Sequence, residues 1–189
     1  MIKYCGPLAV CLFLFSACGI VSPGGKLVSL PEPGIDITIP EGFYEAGTEE
    51  LAWLRANNAA AAPVPPFRDA PAALFYGLRG ESLLVSRLTL IDPSLTWSNP
   101  MDSIYEYHRG LETHYDTAIP AEDIAGGNYR LVLLHITFVT EQVKINLDRG
   151  LYHYGNDDYL MIDLYSNRED LPKADIKAYD RIFRSLKIR

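Results

Sequence analysis

Residues 129–139, YRLVLLHITFV, constrain the fold of this chain more than any other stretch. After Arg130, Val132, Leu134, Ile136 and Phe138 make one parity of the run apolar. Leu131, Leu133 and Val139 make the other mostly so, with His135 and Thr137 the exceptions. Successive side chains of a strand point to opposite faces, so both faces of this strand need cover. Such a strand belongs in the middle of a sheet with a layer on either side. The two segments that follow, QVKINLDRGLYHY (142–154) and DYLMIDLYS (158–166), continue as strands. The link GNDD, residues 155–158, joins them as a hairpin.

The earlier half supplies the remaining layers. Ile35, Ile37 and Ile39 alternate with Asp36 and Thr38, a half-buried strand that Pro40 and Gly42 end. Thr48 reads as the N-cap of a helix with Glu49 and Glu50 in its first turn and Leu51, Trp53 and Leu54 on its apolar side. Pro63, Pro65 and Pro66 must stop it. The prolyl segment reads as a loop that packs Phe67 back on the domain, in preference to a polyproline recognition motif. AALFYGL and SLLVSRLTLI follow, the second a strand. SNPMDSIYEYHRGLETHYD (98–116) carries a cap at Asn99, Pro100 at the first helical position and Ile104, Leu111 and Tyr115 at helical spacing. The segment 171–188 is a closing helix with Ile176, Tyr179, Phe183 and Leu186 as its core stripe.

A leading strand that ends IPEGF, a mid-chain helix, an antiparallel meander and a closing helix that ends FRSLKI resemble the PsbP/Mog1-like fold. The residues that carry the likeness are Ile35–Phe43 and Tyr159–Ile188. It implies an α/β (α+β) sandwich: an antiparallel sheet covered by helices on both faces. That fold also occurs in bacterial lipoproteins, and the resemblance implies an accessory or binding role without catalysis. No family motif matches residue by residue, so no binding residue transfers.

The N-terminus gives an address. Leu8 to Val21 is mostly apolar, follows a single charge at Lys3 and ends in small residues. A membrane-spanning helix needs roughly 20 apolar residues, and Pro7 and Pro23 bound this run on either side. It reads as a signal peptide. Phe15-Ser16-Ala17-Cys18 resembles the lipobox of bacterial lipoproteins, in which the cysteine is acylated and becomes the new N-terminus; the family pattern prefers Leu where Phe15 stands. Ordinary cleavage after Ala17 or after Cys18, and a retained signal anchor, are the other readings. The expected organisation is a signal peptide over 1–17, a lipidated N-terminus and flexible Gly/Pro/Ser-rich tether over 18–33, whose end at Lys26–Leu30 can instead begin the first strand, and one globular domain over 34–189. Cys5 and Cys11 leave with the leader, so the mature chain keeps Cys18 alone and has no intramolecular disulfide. The expected place is the bacterial cell envelope, on the inner or the outer membrane.

Charge narrows the partners. The chain carries −7. Without Lys3 the mature part is −8, with 16 basic and 24 acidic side chains. The acids are dispersed and the sequence shows no basic stripe, which argues against nucleic acid, where Lys and Arg on phosphates dominate affinity, and against docking on anionic lipid by charge. An envelope protein is the expected partner, beside the membrane reached through the lipid.

Motifs for catalysis are absent from the sequence: no G-x-S-x-G, no G-x-G-x-x-G, no complete P-loop and no C-x-x-C. No cofactor and no metal is expected. His108 and His114 stand six apart on one helix, about 240° around its axis, which does not make a metal pair. His135 and His153 lie in strands, the latter set to meet Leu160 or Ile162. Asn156, Asp157 and Asp158 offer too few oxygens for calcium. One constellation stands out. A hairpin turn of two or four residues sets even positions of 142–154 against odd positions of 158–166. Tyr152 and Tyr154 then share a face with Tyr159, Met161, Asp163 and Tyr165. These six form either ordinary core or a partner or ligand surface, since tyrosine is enriched at interfaces. The enzymatic alternative is an envelope hydrolase or small-ligand enzyme with a scattered His/Asp/Tyr site, such as His135 with Asp163.

Overall fold

The computed structural model describes residues 25–56, 67–92, 121–125, 128–139, 144–155, 158–166 and 173–189. The helix expected over 98–116, with His108 and His114, the prolyl loop, and residues 1–24 with Cys18 lie outside them. The described strands are β1 (Gly25–Leu30), β2 (Ile35–Pro40), β3 (Phe43–Glu45), β4 (Phe67–Gly77), β5 (Ser82–Leu90), β6 (Ala121–Ala125), β7 (Tyr129–Val139), β8 (Lys144–Tyr154), β9 (Asp158–Ser166) and β10 (Lys187–Ile188). The described helices are α1 (Thr48–Ala56) and α2 (Lys173–Arg184). Seven strands form one sheet in the order β3-β4-β5-β9-β8-β7-β6, and β1, β2 and β10 form a second, small one. Every pairing is antiparallel.

The doubly apolar run is an interior strand buried on both faces, though not the middle one. Strand β7 is second from the edge of the large sheet. Leu131 and Leu133 are buried on one face, and Val132, Leu134 and Ile136 on the other. The first face takes even positions of β8 and β9, among them Tyr152, Leu160, Ile162 and Leu164, and packs against Ile35, Ile37 and Ile39 of the small sheet and Tyr179, Ile182 and Phe183 of α2. The second face takes odd positions: Leu147, Leu151, Tyr159 and Met161 join Phe67, Leu88 and the even residues of β7. Helix α1 stands over the β4 side of this second face, where Arg55 Nε donates to the Pro71 carbonyl at 2.7 Å.

Local expectations need three corrections. The segment read as tether contains β1, and the alternative beginning near Lys26 holds: Gly25 to Leu30 pair residue by residue with Pro40 to Ile35. The closing helix stops at Arg184, because the Ser185 hydroxyl accepts from the Thr38 N–H at 3.0 Å and donates to the Ile182 carbonyl at 2.9 Å. Lys187 and Ile188 then add to β2 as a strand. At the start of α1 the capping residue is Gly47, whose N–H donates to Glu50 Oε2 at 2.8 Å; Thr48 is the first helical residue.

Candidate functional site

The register of β8 on β9 divides the tyrosine constellation. Tyr154 pairs with Asp158 and Tyr152 with Leu160, so three residues separate the strands and even positions meet even positions. Tyr152 and Tyr154 face α2 and the small sheet, while Tyr159, Met161, Asp163 and Tyr165 point to the other side. The shared surface expected from a two- or four-residue turn does not exist, since one residue more or less in a turn reverses a strand's faces. Exposure fails as well: Tyr152, Tyr159, Met161 and Asp163 are at most 2% exposed and Tyr154 7%. The Tyr152 hydroxyl donates to the Phe183 carbonyl at 2.8 Å, tying β8 to α2. Burial, with Tyr129 beside it, pushes its phenol well above the ordinary range.

The pair chosen for a hydrolase is also divided. His135 Nδ1 lies 2.6 Å from Asp148 Oδ1, its register partner, on the first face. Asp163 accepts from Arg149 Nε and Nη2, both at 2.7 Å, on the second. A sheet layer separates His135 from Asp163, which removes that site. His153 stacks on Tyr159, centroids 4.9 Å apart, instead of meeting Leu160 or Ile162. Of the turn acids, Asp158 lies 3.5 Å from Arg87 and the other two positions fall outside the described residues. Among the described residues, no group of three or more His, Cys, Asp or Glu is placed to hold a metal.

A cavity of ≈ 460 Å³ lies between α1 and the second face at β4, β5 and β9. Its size falls in the range of small-molecule sites, roughly 300–1,000 Å³. Leu54, Leu74 and Leu84 make the lining apolar, and Trp53, Tyr76 and Tyr165 add rings. Glu49, Glu50 and Ser82 are its polar members. The Glu50 carboxylate is committed to the Gly47 cap. The Tyr165 hydroxyl is buried and meets no hydrogen-bond partner among the described residues. Burial and the Asp163 carboxylate push this phenol up, against an opposing pull from Arg149. Burial, Glu50 and Tyr44 raise Tyr76 in the same direction. Both phenols therefore keep their protons and act as donors. Such a cavity suits an apolar body with an acceptor that reaches Tyr165.

Of these lining residues, sequence reasoning had marked only Tyr165 as a site and Trp53 and Leu54 as a helix face. Leu74, Tyr76, Ser82 and Leu84 come from two other strands, and no short motif joins them. Trp53 is 61% exposed, whereas in the sequence it reads as part of the apolar side of its helix.

No family model matches this chain, and no curated protein matches it. Among solved structures, the solution structure of cyanobacterial PsbP (CyanoP) from Synechocystis sp. PCC 6803 superposes with a TM-score of 0.54. The fold is PsbP-like. The superposition covers 100% of this chain and 99% of that one at 15% identity. At that identity the likeness carries architecture and assigns no residue a role. The PsbP-like frame agrees with the resemblance read from Ile35–Phe43 and Tyr159–Ile188. It accounts for the antiparallel sheet and the closing helix, and it leaves the cavity beneath α1 to be read from its own lining.

Proposed function

We propose that this protein is a lipid-anchored accessory or binding protein of the bacterial cell envelope, without turnover of its own, held to the membrane through Cys18. The PsbP-like fold over the whole length is the observation that carries the accessory role. The anchor rests on the lipobox-like Phe15-Ser16-Ala17-Cys18 behind an apolar leader. Two or three acyl chains hold a protein where one gives only marginal attachment. The cavity between α1 and the sheet is the binding element of this reading, its apolar lining and tyrosine donors selecting an amphipathic ligand or a partner's side chain.

Metabolic labelling with a radioactive fatty acid tests the anchor. The wild type takes up label and fractionates with membranes; Cys18→Ala takes up none and keeps its leader. An unlabelled wild type overturns the anchor. The accessory role predicts that affinity purification from detergent-solubilised envelope returns a partner in fixed ratio, lost on filling the cavity with Leu84→Trp. Recovery of the protein by itself counts against it.

A further inference from the structure

A second cavity, ≈ 310 Å³, lies away from α1, between the start of the small sheet and the end of α2. Gly25, Thr38, Pro40, Arg181 and Arg184 line it. The two arginines stand three residues apart, on one side of the helix, and both are exposed. The wall between them and the strands is fixed by the hydrogen bonds of Ser185 to Thr38 and Ile182. Gly25 closes the other side: a Cβ there would stand 2.5 Å from Thr38 Cγ2.

The charge of the chain is segregated toward this end. Residues 173–189 hold six basic and two acidic side chains, a net +4, in a chain of −7. The remainder therefore carries −11. The sequence shows no basic stripe, and the fold sets two of these cations beside Gly25, where the described chain begins. Gly25 follows Cys18 by seven residues, and seven residues span at most about 25 Å. Given the acylation of Cys18, on which this inference rests, the cavity is tied that close to the bilayer.

We propose that this cavity receives the phosphate of an anionic lipid headgroup, with Arg181 and Arg184 supplying the charge, so that the domain docks on its own membrane by this end. Guanidinium groups match phosphate oxygens in paired hydrogen bonds. The field of an anionic surface attracts the +4 segment and repels the remainder, which orients the domain. The contact is the second signal beside the acyl chains.

The test uses the full acylated protein on vesicles of phosphatidylcholine alone or with phosphatidylglycerol. Flotation with the neutral vesicles reports the anchor. Amide hydrogen exchange over residues 176–189 reports the docked face. Phosphatidylglycerol slows that exchange by about fivefold at low salt, and raising the salt removes the effect. Arg181→Gln/Arg184→Gln, still floating and with an unchanged unfolding midpoint, loses the slowing. Flotation with equal exchange on both vesicles overturns this docking and leaves the anchor standing. Failure to float on neutral vesicles overturns the anchor and this docking with it. Slowing by inorganic phosphate on neutral vesicles overturns the lipid source.

Discussion

The two faces of the large sheet are made from alternate residues of the same strands, yet they bury charge to different depths. The first sets each buried acid beside a partner, Asp148 against half-buried His135 and Glu81 as acceptor from the Tyr179 hydroxyl, while the Tyr152 hydroxyl donates to the Phe183 carbonyl. Its cover comes from β1, β2 and α2, the two ends of the described chain, so closing it makes the domain one unit. The second buries both members of an ion pair. Arg149 and Asp163 are 0% exposed, Ser86 lies buried beside them without a partner among the described residues, and Asp69 feels both charges. Removing two ions from water costs several kcal/mol each, and an ion pair of good geometry does little more than recover that cost. The first face supplies cohesion. The second supplies a fixed arrangement, since Arg149 and Asp163 are register partners and meet through Nε and Nη2 only in this register.

The sharpest way to break that contrast is to remove one charge. Asp163→Asn or Arg149→Met leaves its former partner buried and uncompensated, at a cost of about 3–5 kcal/mol in urea unfolding. Replacing both, as Arg149→Met with Asp163→Leu, recovers most of the loss because no lone charge remains. A double variant as damaged as either single would show that the pair itself contributes cohesion.

On the first face the corresponding probe is steric. Gly150 opposes Phe183 so closely that a Cβ there would lie 2.6 Å from the ring's Cδ1. Gly150→Ala should cost about 1–3 kcal/mol as an overpacked core. Adding Phe183→Leu should return part of it, a coupling that thermal or urea midpoints of the double-mutant cycle read directly. Next in size is Tyr179→Phe. It deprives buried Glu81 of a hydroxyl donor while leaving the Arg79 N–H at 3.0 Å. A loss of about 1–2 kcal/mol is expected from the unmet acceptor; no loss would mean that the hydroxyl contributes only packing.

The contrast also marks what the sequence could and could not disclose. Period-two patterns in Ile35–Ile39 and Leu84–Leu90, and the stripe through Tyr179 and Phe183, follow from burial alone and were legible. The partition of tyrosines was not, because it hangs on a single residue in the turn after Tyr154, whose Gly155 takes a left-handed φ of +62°. Strand β1 hid in Gly- and Ser-rich composition because it is an edge strand with only Leu30 buried. The cavity beneath α1 is made by strands and a helix from different parts of the chain. Its most telling member, Trp53, looks like a core residue until the helix is oriented. The closeness of Arg181 and Arg184 to Gly25 is a tertiary fact that no local pattern carries.

Asp69 gives the smallest effect and tests the second face by titration. Burial raises its carboxyl above the ordinary 3.8, and Asp163 adds to the rise against its own backbone hydrogen bond and Arg149. Because the native state holds this proton more tightly than the unfolded chain, the group favours folding below the ordinary value. That contribution disappears as pH rises through the raised native value. At neutral pH the ionised carboxylate is therefore a small liability, and Asp69→Asn should be at least as stable as wild type. The gap between the two proteins should close on acidification through the window that starts at the raised native value and ends near 3.8. Urea midpoints of both proteins between about pH 3 and 7 read this. A gap that widens toward acid would mean that Arg149, and not desolvation, governs Asp69, and that the second face stabilises a third charge instead of tolerating it.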